Sequence, residues 1–188
     1  MLAYVFWHWP QPQIDTSEYE ARLCRFHDAL AEAPPDGFHG SWSFALRGAR
    51  WANDGGSAYE DWYLLGGSAD LDRLNDAAVS GARQAPHDGA AAAAAGGTAG
   101  LYRLRHGQPL RRPGAARWFA KPSTLSYAAL DELVRPLVER TGGALWGRQM
   151  TLGPALEFCL HTATPCELPP ELAALAVPVR TVFPRDAR

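Results

Sequence analysis

The chain has 188 residues, of which 47% are apolar and 20% charged, and its formal net charge is −2. That length allows one ordinary domain or two small ones around a real core, and the composition excludes a disordered chain. The nearly balanced charge leaves no electrostatic footprint for nucleic acid or an anionic membrane, since the basic cluster Arg111, Arg112, Arg117 is too short to make one.

Three cysteines, Cys24, Cys159 and Cys166, are an odd number with no C-x-x-C spacing. A disulfide framework or structural zinc site is therefore not expected; reduced thiols and a cytoplasmic location are. No segment approaches the roughly 18 continuous apolar residues of a spanning helix. The N-terminus has neither a basic region nor a small-residue cleavage site, so no signal peptide is expected.

Residues 2–9 alternate as a strand, with Tyr4, Phe6 and His8 on one side and Val5, Trp7 and Trp9 on the other. Pro10 and Pro12 end it. Ser17 and Glu20 fit a capping box, and Tyr19, Leu23, Phe26 and Leu30 form the apolar stripe of a helix. Pro34, Pro35 and Gly37 stop it.

Residues 38–47 and 59–65 alternate as strands, separated by a glycine-rich loop at 48–58 whose composition suggests a lid. A helix is expected over 69–79. The segment "HDGAAAAAAGG" reads as a short alanine helix stopped at Gly96 and Gly97, or as a flexible linker. Residues 100–106 complete a β-α-β-β-α-β order.

The second part repeats it. Residues 116–121 read as a strand and 127–140 as a helix that Pro136 should kink or break. Strands at 144–152 and 155–161, a short helix near 170–175 and a strand at 177–183 follow. The boundaries predict halves at 1–108 and 109–188. Local matches support the repeat. "GSWSFALRG" and "GALWGRQMTLG" each place a tryptophan early in a strand, "DWYL" and "EFCL" share an acidic–aromatic start, and each last strand carries arginine, Arg103 and Arg180.

On these elements the chain resembles the dimeric α/β-barrel superfamily, with two ferredoxin-like units fused in one chain: an α+β fold of tandem β-α-β-β-α-β repeats. The resemblance implies two sheets packed around a central cavity. The superfamily includes cofactor-independent monooxygenases, haem-degrading and haem-peroxidase-like enzymes, lactone isomerases and members without known activity. It implies an oxygenase- or isomerase-type small-molecule protein acting on an apolar or aromatic ligand in the barrel. The alternatives are a non-catalytic ligand or haem binder, and a structural barrel without a cavity. A fused pair of halves is expected to be a monomer or a weak homodimer.

Consistent face assignment puts Trp42, Phe44, Leu46, Trp62, Leu64, Tyr102 and Leu104 under the helices. The lumen then receives Ser41, Ser43, Asp61, Tyr63, Arg103 and Arg105 from the first half, and Arg148, Glu157, Cys159, His161 and Arg180 from the second. Two readings of this polar set stand. Asp61 with Arg103 and Glu157 with Arg180 are salt bridges joining the sheets, or the set is a polar floor orienting an apolar ligand.

His8 and Asp61 are the candidate catalytic residues, His8 as general base. Trp7 and Trp9 become stacking walls if they, rather than His8, face inward. No cofactor motif is present; haem is the one cofactor the resemblance brings in, with His161 as candidate axial ligand. No Walker loop, G-x-G-x-x-G, G-x-S-x-G or H-E-x-x-H pattern occurs.

Overall fold

The computed structural model describes residues 1–185. In chain order they form β1 (Leu2–Pro10), α1 (Thr16–Glu32), β2 (Phe38–Leu46), β3 (Ala58–Leu65), α2 (Ala69–Ala78), α3 (Gln84–Ala91), β4 (Ala94–Gly107), β5 (Ala115–Phe119), α4 (Tyr127–Thr141), β6 (Ala144–Arg148), β7 (Phe158–Thr162), β8 (Leu175–Val177) and β9 (Val179–Phe183). This is a mixed α/β fold. The nine strands make one sheet, in the order β8-β5-β7-β6-β4-β1-β3-β2-β9. The registered pairs are antiparallel.

Only Pro178 separates β8 from β9, yet β8 pairs with β5 and β9 with β2, at opposite ends of the sheet. Proline lacks the N–H that would continue the ladder, so pairing changes hands there. The two ends meet in one segment, and the sheet curls into a nearly closed barrel.

A single apolar cluster fills the interior. It draws Trp7 from β1, Trp42 and Phe44 from β2, Trp62 from β3, Tyr102 from β4, Trp118 from β5 and Trp146 from β6. The outer face carries the helices. Leu23, Phe26 and Leu30 of α1 pack on it in the first half, and Leu130, Val134 and Val138 of α4 in the second.

This reverses the expected facing of the first half. Trp42, Phe44, Trp62, Leu64 and Tyr102 lie in the barrel, not under the helices, and Ser41, Asp61 and Tyr63 lie on the helix side. The alternation holds; the side assigned to each set was inverted. The barrel interior is enclosed on all sides by sheet, so it takes the largest aromatic payload, while the helix-covered face tolerates polar groups. Cys159 and His161 do face the interior, as expected.

Local differences have physical causes. Asp15, not Ser17, caps α1: its Oδ1 accepts the Glu18 N–H at 2.9 Å and the Ser17 hydroxyl at 2.7 Å. The alanine run is divided between α3 and β4, and Gly96 and Gly97 belong to the strand. A Cβ at Gly97 would come within 2.4 Å of the Phe6 ring, and one at Gly96 within 2.6 Å of Trp9. These glycines let β4 pass beside the aromatic side chains of β1. α4 runs through Pro136 without ending. The 48–58 loop packs on the barrel: Ala49 and Ala52 are buried in the barrel cluster, and Trp51 packs 5.0 Å from Trp118.

Candidate functional site

The alternation of β1 turns Tyr4, Phe6 and His8 to the helix side, where they meet Asp61 and Tyr63 of β3. Phe6 and Asp61 are register partners across the two strands. On α1, Tyr19, Leu23, Phe26 and His27 share the face pressed on the sheet, because their spacings of three and four return to the same side. α2 and α3 cover the same side, Leu74 of α2 packing with Leu2 and Leu65 of the sheet and Ala90 of α3 with Tyr59. The space left is a cavity of about 570 Å³ walled by Tyr4, Phe6, His8, Tyr19, Asp61 and Tyr63, with Leu71, Leu74, His87 and Ala90 across from them. Its volume lies within the usual range for small-molecule sites, about 300–1,000 Å³.

Asp61 is the electrostatic centre. Its Oδ2 accepts the Tyr63 hydroxyl at 3.0 Å and lies 3.2 Å from His8 Nε2 and 3.3 Å from His27 Nε2. Both ring nitrogens lie against Oδ2, although neither closes an aligned hydrogen bond to it. The far ring nitrogens are also engaged. His8 Nδ1 meets the Tyr19 hydroxyl at 2.7 Å, and His27 Nδ1 meets Ser41 Oγ at 2.7 Å. The result is a chain Tyr19–His8–Asp61–His27–Ser41. Asp61 Oδ1 has no partner.

Burial alone would raise the Asp61 pKa. The two imidazoles outweigh it and hold this carboxyl well below the usual carboxylate range. Burial first, and the Asp61 charge second, push the phenols of Tyr4, Tyr19 and Tyr63 above their ordinary value. They remain protonated donors facing one carboxylate. A neutral His8 with its N–H at Nε2, toward Asp61, accepts the Tyr19 O–H at Nδ1.

Aromatic contacts fix the rings. His8 stacks on Phe6 at 5.2 Å and on Tyr59 at 5.8 Å. His27 lies between Tyr63, at 5.5 Å, and Phe183 of β9, at 5.0 Å. A residue near the C-terminus thus braces a site built from the first 63 residues.

Of the eleven residues singled out in the sequence, His8, Asp61 and Tyr63 line this cavity. Ser43 sits behind it, buried and register-paired with Asp61, its hydroxyl without a partner. Trp7 lies in the barrel, and Trp9 packs at the edge of the same cluster. Arg103, Arg148 and Glu157 gather elsewhere, at a cavity of about 290 Å³ in the second half.

The expected acid–arginine pairs do not form. Arg103 Nε donates to Gln149 Oε1 at 3.2 Å, and Arg148 holds the carbonyls of Gly153 and Ala155. Glu157 accepts from the Tyr127 hydroxyl at 2.7 Å, and Arg180 pairs with Glu20 of α1. β1 stands between Asp61 on β3 and Arg103 on β4, whose register partners on it, Phe6 and Leu2, are four residues apart, and Arg180 on β9 reaches α1 rather than the end of the sheet that holds Glu157.

His27, Tyr19 and Glu60 escaped the sequence reading as site residues. His27 had a signal, a histidine inside the apolar stripe of a helix. Glu60 had another, a carboxylate in the alternation of Trp62 and Leu64.

His161 does not fit a haem ligand. Its ring is covered by Trp62 at 4.7 Å and flanked by Phe44 at 6.0 Å, and Trp146 and Trp118 fill the space beyond. Among the described residues no group of three or more His, Cys, Asp or Glu side chains is arranged to hold a metal. Among the same residues no helix is long and apolar enough to cross a membrane.

No family model and no curated protein matches the chain. Solved structures similar to the chain include the following two. An anthrone oxidase-like protein superposes with a TM-score of 0.50 over 97% of this chain and 93% of its own, at 11% identity. A chlorite dismutase variant from Candidatus Nitrospira defluvii superposes with a TM-score of 0.41 over 86% and 76%, at 13% identity. The first likeness spans almost the whole of both chains and speaks to the fold: a nearly closed antiparallel α/β barrel.

Proposed function

We propose that this protein is a cofactor-independent enzyme, of oxygenase or isomerase type, that removes a proton from a small aromatic molecule held between the sheet and α1–α3. The observation that carries this reading is the buried Tyr19–His8–Asp61 relay on the wall of an apolar cavity. The substrate's acidic proton passes to the Tyr19 oxygen while the Tyr19 proton passes to His8 Nδ1. The imidazolium so formed faces the ionised Asp61. The Phe6, Phe26 and Tyr63 rings are walls for a flat ring system.

An anthrone is the first compound to try, since the similar structure is that of an anthrone oxidase-like protein. Deprotonation of its methylene gives a delocalised carbanion. Dioxygen then converts that CH₂ to a carbonyl and leaves one molecule of water, which balances without a cofactor.

The same reading takes residues 1–108 and 109–188 as two fused ferredoxin-like units. In its support, β1–β4 and β5–β8 each follow the order fourth, first, third, second. Closing the barrel within one chain removes the bare sheet face that would drive pairing, so we take the protein as a monomer. The unpaired Cys24, Cys159 and Cys166 favour a reducing, cytoplasmic setting.

A binding protein without chemistry is the second reading, favoured by one observation: both His8 nitrogens already have partners. Oxygen uptake and absorbance over a panel of anthrones and naphthols separate the two. Turnover that drops about 10²- to 10⁴-fold in His8→Ala is the enzyme result. Saturable binding with no conversion is the binder result, and undiminished turnover in His8→Ala removes His8 from the mechanism.

A further inference from the structure

The cavity that holds the relay has a second, unlike wall. Leu71, Leu74, Asn75 and Ala78 of α2 line it, and so do His87, Ala90 and Ala91 of α3. In both helices these positions follow the first at offsets of three and four, so they share one side. The wall is apolar except for Asn75 and His87. Asp72 adds a carboxylate at the mouth, where it and Asn75 are exposed.

His87 reaches further in. It is half-buried and meets the Phe26 ring edge-on at 5.4 Å. Its Nδ1 lies 3.1 Å from Asp88 Oδ1, while Nε2 has no partner among the described residues. A neutral imidazole that gives its Nδ1 proton to Asp88 keeps a lone pair at Nε2. Asp88 thus leaves His87 an acceptor to offer a ligand. Phe26 follows Tyr19 by seven residues on α1, about 10 Å along the helix axis. His87 therefore stands at the end of the cavity away from the Tyr19 oxygen, with room for a fused-ring molecule between.

The lining also has a sign. Asp61 and Asp72 contribute carboxylates, and no lysine or arginine is among the described lining residues. Arginines on the flanking elements are engaged elsewhere: Arg22 with Glu18, Arg73 with Asp70, and Arg83 with the carbonyls of Ala33 and Ala77. An anion entering this cavity leaves water, meets like charge and finds no counter-ion.

We propose that His87 is a specificity-determining residue, and that it selects an uncharged flat aromatic whose hydroxyl, at the end opposite the relay, donates to His87 Nε2. This rests on the reading of the cavity as the substrate site and adds which aromatic enters it. Aromatic carboxylates and phosphates are turned away by Asp61 and Asp72.

The test is calorimetric titration of the full chain at neutral pH with three probes that share one ring system: 2-naphthol, 2-methoxynaphthalene and 2-naphthoate. 2-Naphthol should bind about tenfold tighter than its methyl ether, the worth of one neutral hydrogen bond. 2-Naphthoate should bind more weakly than 2-naphthol by at least about the same factor. His87→Phe keeps a ring against Phe26 and should bring the naphthol-to-ether ratio to about one, whereas His87→Gln, which retains an acceptor oxygen, should keep a preference. Equal affinity for 2-naphthol and its ether, no binding of either, or 2-naphthoate bound as tightly as 2-naphthol overturns the proposal. So does a preference that survives His87→Phe; its loss in Tyr19→Phe instead would put the hydroxyl at the relay. The readout is binding, so it stands apart from turnover. Absent oxygen uptake with the His87-dependent preference intact defeats the proton-transfer reading alone.

Discussion

At the scale of single residues, Asp61 has the most to hold together. One of its oxygens serves Tyr63, His8 and His27, and the other has no partner among the described residues. Asp61→Asn removes the negative charge and puts an amide N–H where a histidine N–H must find an acceptor. The imidazolium formed during proton transfer loses its counter-charge. We expect kcat to fall about 10²- to 10⁴-fold, with KM little changed. Steady-state kinetics on the substrate that wild type turns over checks this, and an unchanged kcat with raised KM would reduce Asp61 to a binding contact. Ser41 provides the contrast. It bonds His27, which does not line the cavity. Ser41→Ala leaves a buried ring nitrogen unpaired, at a cost of about 1–3 kcal/mol. Urea denaturation should register that cost while kcat moves less than tenfold.

At the scale of elements, α4 contains a proline in its interior. Pro136 is exposed and leaves one backbone carbonyl of the preceding turn without its donor. Packing of Leu130, Val134, Leu137 and Val138 carries the helix through it. Pro136→Ala restores the bond and should stabilise by about 1–3 kcal/mol. That is a rise of about 2–4 °C in Tm for each kcal/mol at this chain length. A Tm unchanged or lowered would mean that the rigid φ of proline contributes more than the lost bond.

The elements were also where sequence reading succeeded and failed in instructive ways. The strands of the first half, α1, α2 and α4 were legible because their periods of two and 3.6 are properties of the local chain, whereas the single strand expected at 177–183 is split at Pro178 between β8 and β9. Which side of a strand meets the helices was not legible. Alternation separates Asp61 from Trp62 with certainty, but either set satisfies it. The choice belongs to the closure of the whole sheet, through pairings such as β2 with β9 that join residues over 130 positions apart. The end of the alanine run failed for a similar reason. Alanine and glycine follow helix logic locally, yet Gly96 and Gly97 are needed beside Trp9 and Phe6, contacts across the sheet that no local window contains.

At the scale of the whole molecule, two buried groups in the barrel set opposing pH dependences. Burial pushes the Glu60 carboxyl up from 4.5 to about 7. A raised acid pKa means the folded state binds a proton that the unfolded state has released. Stability is full below about pH 4.5 and declines as pH rises to 7, by about 3 kcal/mol in all. His161 runs the other way. Its pKa is depressed from 6.5 to about 3, so its share is full above pH 6.5 and declines as pH falls toward 3, by about 5 kcal/mol. Between pH 4.5 and 6.5 the two slopes, each about 1.4 kcal/mol per pH unit, cancel. Glu60→Gln keeps the size and an acceptor oxygen but removes the titration. The variant should gain stability relative to wild type, by about 1.4 kcal/mol per pH unit, across pH 4.5–7 and then hold that gain above 7. Chemical denaturation of both proteins at half-unit steps gives the difference curve, in which every other titrating group cancels. A flat difference would mean that Glu60 is ionised throughout, its charge held by the Trp7 N–H and its neighbours.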